Sequence, residues 1–104
     1  MDVNKHDWQL FTEKLPEWQE RYMEKLEKEY IQILLKKDKL ASEKFWELEK
    51  EINKDKKSPG VNLELNKSEM ELDIMRLLKE KAITMDDLID FSDELRDRVK
   101  SFAD

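Results

Sequence analysis

The chain has no cysteine, one histidine (His6), one glycine (Gly60) and two prolines (Pro16 and Pro59). Without cysteine there is no disulfide bridge and no thiolate ligand for a metal ion. A single histidine is too few for the zinc motif H-E-x-x-H or for the two Glu-x-x-His motifs of a di-iron bundle. A single glycine is too few for a phosphate-binding loop. We therefore expect no catalytic site, no metal site and no cofactor.

Residues that break secondary structure are scarce, which argues against a turn-rich β architecture and favours long helices. Charged residues make up 44% of the chain, but their signs are mixed and nine aromatic residues accompany them. Disordered chains usually lack this combination. No apolar run approaches the length of a membrane span, and the first residues show no signal-peptide pattern. These features predict one all-α domain, residues 1–104, in the cytoplasm.

The spacing of apolar residues predicts a small bundle of four main helices plus a short N-terminal helix. Apolar residues at helical spacing over 8–15 mark the short helix, which Pro16 is expected to end. The alternative is one long helix kinked at the proline, because the apolar spacing continues through Trp18 and Tyr22.

A second helix is predicted over about 16–37, and Asp38 or Ser42 is expected to cap a third. The predicted core face of this third helix consists of Ala41, Phe45, Leu48 and Ile52. A Ser-Pro-Gly connector at residues 58–60 ends it, so the helices form hairpins joined by this connector.

The last part of the chain reads as an extended connector, 61–65, followed by two more helices. Asn66 or Ser68 is expected to cap the fourth helix. Thr84, with Asp87 three residues on, is expected to cap the final one. Opposite the apolar face of that final helix lies a predicted acidic surface of Asp86, Asp90, Asp93 and Asp97. We interpret it as the solvated side of an amphipathic helix; the alternatives are a basic partner, a divalent cation or an imitation of nucleic-acid phosphates.

The uncharged stretch YIQILL, residues 30–35, is apolar on more than one side of its helix. Ile31 and Leu35 lie off the main apolar face. If the second and third helices form an antiparallel hairpin, these two residues approach Leu40 and Trp46 and form a candidate interface. Either the short N-terminal helix folds back over this patch or a second copy covers it, and we favour a two-fold homodimer.

These patterns predict a small cytoplasmic protein of a bacterial cell that acts through protein–protein interaction, as an accessory, regulatory or scaffold protein, and not as an enzyme. The alternative is a nucleic-acid-linked regulator, or an acidic decoy or antitoxin that covers a basic partner. Direct binding of nucleic acid is disfavoured by the net charge of −6, because neutralisation of phosphates supplies most of such affinity. No membrane partner is expected.

Overall fold

The computed structural model describes residues 4–103, and these fold into α-helices and single 3-10 turns without a strand. The α-helices are α1 (Lys5–Leu34), α2 (Ala41–Asp55), α3 (Met70–Lys79) and α4 (Asp93–Val99). The 3-10 turns are Lys67–Glu69, Met85–Leu88 and Lys100–Ala103. The predicted all-α fold class is confirmed.

Helix α1 continues through the proline, so the separate short N-terminal helix is wrong and the alternative of one long helix is right as to its continuity. Asn4 caps the start by accepting hydrogen bonds from two backbone N–H groups of the first turn. Pro16 lies inside the helix and removes one donor from it. Leu15 and Trp18, on either side of the proline, are both buried in the core. Their burial offsets the loss of one helical hydrogen bond.

The core lies between the first half of α1 and the segment from α3 to α4. It contains Phe11, Leu15, Trp18, Met70, Ile74, Leu77, Leu78, Ala82, Ile83, Leu88, Phe91, Leu95 and Val99. A buried carboxylate ties the two ends of the chain together: Asp7 accepts hydrogen bonds from the backbone N–H of Ser92 (2.8 Å) and from its hydroxyl (2.6 Å). The helical spacing of Leu88, Ser92, Leu95, Val99 and Phe102 predicts the apolar face of the final helix. Leu88, Leu95 and Val99 are buried as expected, whereas Phe102 is exposed.

The predicted final helix is divided into two pieces. Thr84 does begin a turn, and its N–H donates to the Asp87 carboxylate at 2.8 Å, but this turn is a 3-10 helix that ends at Leu88. Helix α4 starts only at Asp93, because the Ser92 hydroxyl accepts the N–H of Leu95 and so caps a new helix. The expectation of one helix from residue 84 onward was therefore wrong.

Two other caps differ in detail from the predictions. Helix α2 is preceded by Leu40 in an extended conformation, and the Glu43 carboxylate accepts the Leu40 N–H at 3.0 Å. Neither residue predicted as the cap of this helix occupies that position. Before α3, Asn66 is the capping residue, and its side chain accepts the N–H of Ser68 at 3.1 Å.

The connector after α2 packs closely against α1. Gly60 is buried, and a Cβ added there would lie 2.4 Å from the ring of Tyr22. The following residues form no regular structure; Val61 and Leu63 are partly buried and Leu65 is exposed. The expected extended segment with one buried side is thus present over 61–63 and ends before Leu65.

The described part of the chain is elongated, with extents of 53 × 24 × 19 Å and a radius of gyration of 16.4 Å. A compact domain of this length would have a radius of gyration of about 13 Å. The difference arises from α1, whose 30 residues span about 45 Å. Its second half extends beyond the core and pairs mainly with α2. We call residues 23–56 the hairpin, and residues 35–40 its tip.

Candidate functional site

Polar contacts join the two helices of the hairpin beside Leu26 and Ile33 of α1, which are buried outside the main core. Lys36 forms an ion pair with Glu47 at 2.7 Å, and the Tyr30 hydroxyl donates to the Asp55 carboxylate at 2.5 Å. The ammonium group of Lys44 donates to a backbone carbonyl at the end of α1 at 3.1 Å. These contacts confirm the predicted antiparallel pairing. They also show that α2 directs charged side chains toward α1.

The shifted pKa values of Glu47 and Tyr30 are consistent with these contacts between α1 and α2. The hydrogen bond from Lys36 holds the pKa of the Glu47 carboxyl below its usual value. Burial, together with donation to the Asp55 carboxylate, raises the pKa of the Tyr30 hydroxyl. The tyrosine therefore remains protonated at neutral pH and keeps its role as the donor in this contact.

Because charged side chains of α2 contact α1, much of the apolar side of α2 is exposed to solvent. No residue of this helix is buried. Phe45 and Trp46 are 61% and 60% exposed, and their rings meet edge to face with centroids 4.9 Å apart. Ile52, two turns after Phe45 and therefore on the same side of the helix, is also exposed. The predicted core face of this helix was wrong for Ala41, Phe45 and Ile52, which are exposed, while Leu48 is partly buried.

A groove of about 310 Å³ runs beside the contact between α1 and α2. Its apolar lining consists of Met23, Leu26, Tyr30, Ile52 and Val61, and its charged lining of Glu27, Asp55 and Lys56.

This apolar surface continues toward the tip. Met23, Tyr30 and Leu34 repeat at helical spacing, so Leu34, which is 48% exposed, extends the α1 wall. Phe45 extends the α2 wall in the same way from Ile52. We call the whole surface the hairpin groove, defined by Met23, Leu26, Tyr30, Leu34, Phe45, Ile52 and Val61.

The four residues predicted as an interface, Ile31, Leu35, Leu40 and Trp46, are each more than half exposed. Ile31, Leu35 and Leu40 lie at or next to the tip, whereas Trp46 is turned about 100° from Phe45 around α2 and so away from the groove. The idea that an N-terminal helix folds back over this patch is wrong, because that segment is the first half of α1.

Leu34, Phe45 and Ile52 were not predicted as surface residues because each fits an apolar helical face. One pattern points to their exposure. Lys44, Glu47, Glu51 and Asp55 repeat at a spacing of three or four residues, which places a fully charged stripe on α2. Such a stripe matches the polar groups of Tyr30 and Lys36 on α1, and it leaves Phe45 and Ile52 on a different side of α2.

The predicted acidic surface consists of exposed side chains, Asp86, Asp90, Asp93 and Asp97. Because the final helix is divided, Asp90 lies in the turn before α4 and the residues do not share one helix. Arg96 forms an ion pair with Asp93, and Lys100 forms one with Asp97 at 3.7 Å. Basic residues thus partly neutralise this surface. Within residues 4–103, no group of three or more His, Asp or Glu side chains is placed to hold a metal ion.

The chemistry of the hairpin groove is mainly that of apolar burial, since most of its lining is hydrocarbon and aromatic side chains, beside the charged groups of Glu27, Asp55 and Lys56. His6, the one histidine, is exposed at the start of α1, near the opposite end of that helix. Among the helices of residues 4–103, none has an apolar stretch of the length that crosses a bilayer. Comparison with known proteins finds no matching family model, no matching curated protein and no matching solved structure.

Proposed function

We propose that this protein works by binding another protein chain through the hairpin groove, as a small accessory, regulatory or scaffold protein of the cytoplasm without catalytic activity. One observation supports the proposal above all: α2 has a distinct apolar side and buries none of its residues. An isolated helix of 15 residues is marginal in water, and most helical stability in proteins comes from packing an apolar face. A partner that covers this face supplies that packing.

The shape of the groove suggests how a partner binds. Two parallel helical walls with apolar residues at helical spacing accept another amphipathic helix, whose anchors repeat at three and four residues. Exposed apolar surface of this kind marks interaction sites in soluble proteins. The polar contacts of Lys36 with Glu47 and of Tyr30 with Asp55 hold the two walls at a fixed spacing. The groove is thus already formed in the single chain.

Site-specific photocrosslinking in the cells that make the protein tests this function. A benzophenone amino acid at Leu34 probes the groove, and one at Leu72 is the control. Leu72 is 53% exposed against 48% for Leu34, but it lies on α3 outside the hairpin. We expect protein adducts from position 34 and none from position 72. Absence of adducts at position 34, or equal adducts at both positions, would show that the groove is not a docking surface.

A further inference from the structure

We propose that the occupant of the hairpin groove is the hairpin of a second copy of this chain, packed antiparallel about a two-fold axis so that four helices form a bundle. This proposal rests on the proposed docking function of the groove. Three features of the hairpin support it: the distribution of charge along its length, the area of its apolar face and the symmetry of the contacts that result.

Charge changes sign along the hairpin. Residues 36–44, at the tip, carry four lysines and two acidic residues, a net charge of +2. Residues 17–29 of α1, which lead into the base and form one side of it, carry five acidic and three basic residues, a net charge of −2. Residues 50–56 of α2, on the other side of the base, carry two acidic residues and three lysines, a net charge of +1. The hairpin is therefore basic at its tip and weakly acidic at its base, where the acidic charge lies on α1.

The acidic residues of the base lie beside the groove. Glu27 lines it directly, and Glu20 and Glu24 precede Glu27 by seven and three residues, so they share its side of α1. At the tip, Lys37 and Lys39 are exposed. A second hairpin that lies head to tail on the first places each basic tip on an acidic base. A parallel arrangement would instead bring like charges together at both ends, which is unfavourable.

The projected area of the face is about half of what each partner buries in a standard interface. Helix α2 has 15 residues, which correspond to a length of about 22 Å. Two helices about 10 Å apart present a face roughly 20 Å wide. The projected area of roughly 450 Å², which side-chain relief increases, is of the order of the 800 Å² or so that each partner buries in a standard interface. A single bound helix would cover only the middle of this face.

A two-fold axis also allows the hairpin groove of each copy to contact the same groove on the other copy. In such an interface the same patch occurs on both subunits, so every favourable contact is formed twice. Phe45 and Leu34 lie near the tip, and Met23 lies near the base, so antiparallel packing sets the tip residues of one copy over the base of the other. All apolar groove residues are then covered without any segment from outside the chain.

The oligomeric state of the purified full-length protein is the first test. We expect light scattering after size exclusion to give twice the chain mass of 12.7 kDa. Leu34→Glu places a charge inside the interface and is expected to weaken dimerisation at least about a hundredfold, while circular dichroism shows the helices intact. Leu72→Glu, the matched control on α3, should remain dimeric. A wild-type chain that is monomeric at about 100 µM, hence with a Kd weaker than this, overturns the proposal.

Charge reversal tests the antiparallel orientation. Lys37→Glu with Lys39→Glu, or Glu20→Lys with Glu24→Lys, should each weaken the dimer about tenfold at low salt. A chain with all four changes should regain the wild-type Kd, because its acidic tip meets a basic base. If the four changes together weaken the dimer further, the hairpins are not antiparallel. Lys67→Glu with Lys79→Glu controls for net charge outside the hairpin.

The occupant and the docking function can fail separately. If crosslinks from position 34 join a protein of another mass and the purified chain is monomeric, the second copy is overturned and the docking function stands. If Leu34→Glu folds and remains dimeric, the dimer uses another surface and the proposal is overturned. Crosslinks from position 34 at twice the chain mass, together with a monomeric Leu34→Glu variant, support both.

Discussion

Asp73 is a buried carboxyl group with one oxygen that has no hydrogen-bond partner among the described residues. Burial raises its pKa, and Glu69 adds to the effect while Arg76 opposes it. The folded protein therefore holds this proton more tightly than the unfolded chain does. It follows that the carboxyl group stabilises the fold most at low pH, below its unfolded pKa, and that this contribution is lost as the pH rises through the folded pKa.

Asp73→Asn is expected to make the protein more stable at pH 7, by about 1 kcal/mol, because a neutral amide replaces a poorly solvated carboxylate. The gain should shrink toward pH 4, where the carboxyl group approaches protonation. Urea unfolding at both pH values measures it, with the exposed Asp97→Asn as control. A loss of stability at pH 7 would mean that the Asp73 carboxylate makes a favourable contact.

Gly60 is a second residue whose environment makes a definite prediction. A Cβ at this position would overlap the ring of Tyr22, with the nearest atom at 2.4 Å. Gly60→Ala should therefore lower the free energy of unfolding by about 1–3 kcal/mol, as overpacking usually does. Adding Tyr22→Ala removes the obstructing ring, so the alanine at position 60 should then have little further effect. Additive losses in this double-mutant cycle would show that the contact is not the cause.

At the scale of the helix, a substitution of Pro16 distinguishes a continuous α1 from a helix that breaks at this residue. In a continuous helix the proline removes one hydrogen bond, so Pro16→Ala should stabilise the protein by about 1–3 kcal/mol. If the chain instead broke at this position, alanine would remove a residue suited to the break and stability would fall. Thermal unfolding of the variant decides between them. The exposed Glu13→Ala change in the same helix controls for the general effect of added alanine.

For the acidic residues around the start of α4 we expect substitutions to have little effect on stability. Because Asp90, Asp93 and Asp97 are exposed, changing all three to Asn should leave the fold intact and shift stability by no more than about 1 kcal/mol. Part of any loss would come from Asp93, which lies in the first turn of α4 where a negative charge is favourable. A variant that fails to fold would show that these carboxylates have a structural role.

Local patterns in the sequence account for most of the helices but not for how far each one extends. The turn that Thr84 and Asp87 begin was predictable because its determinants are three residues apart. The end of that turn was not, since Ser92 is held by Asp7, 85 residues away. Likewise, the continuity of α1 through Pro16 depends on core contacts that only the folded chain makes.

At the scale of the whole molecule, local sequence patterns also fail to predict the candidate site, because it depends on contacts between distant residues. Amphipathic spacing in α2 predicts that one side will be buried, but it does not say whether this chain or another one buries it. Phe45 therefore reads as a core residue in the sequence and is a surface residue in the structure. Ile31, Leu35 and Leu40 could be predicted as candidate surface residues because they lie off the main apolar face, and each is exposed. The exposed groove itself required the three-dimensional pairing of α1 with α2.

The first half of helix α1 packs on the core and its second half belongs to the hairpin. The two halves should therefore differ in the free energy of local opening. Amides near Phe11 and Trp18 sit over the core and should exchange their hydrogens only when the whole protein unfolds. Amides near Ile31 and Leu34 are held by little more than one pairing helix, so they should exchange through fraying of the hairpin at a much smaller free energy. One uninterrupted helix should thus show two tiers of hydrogen-exchange protection. Raising the protein concentration should slow exchange in the second tier alone if a second copy covers the groove.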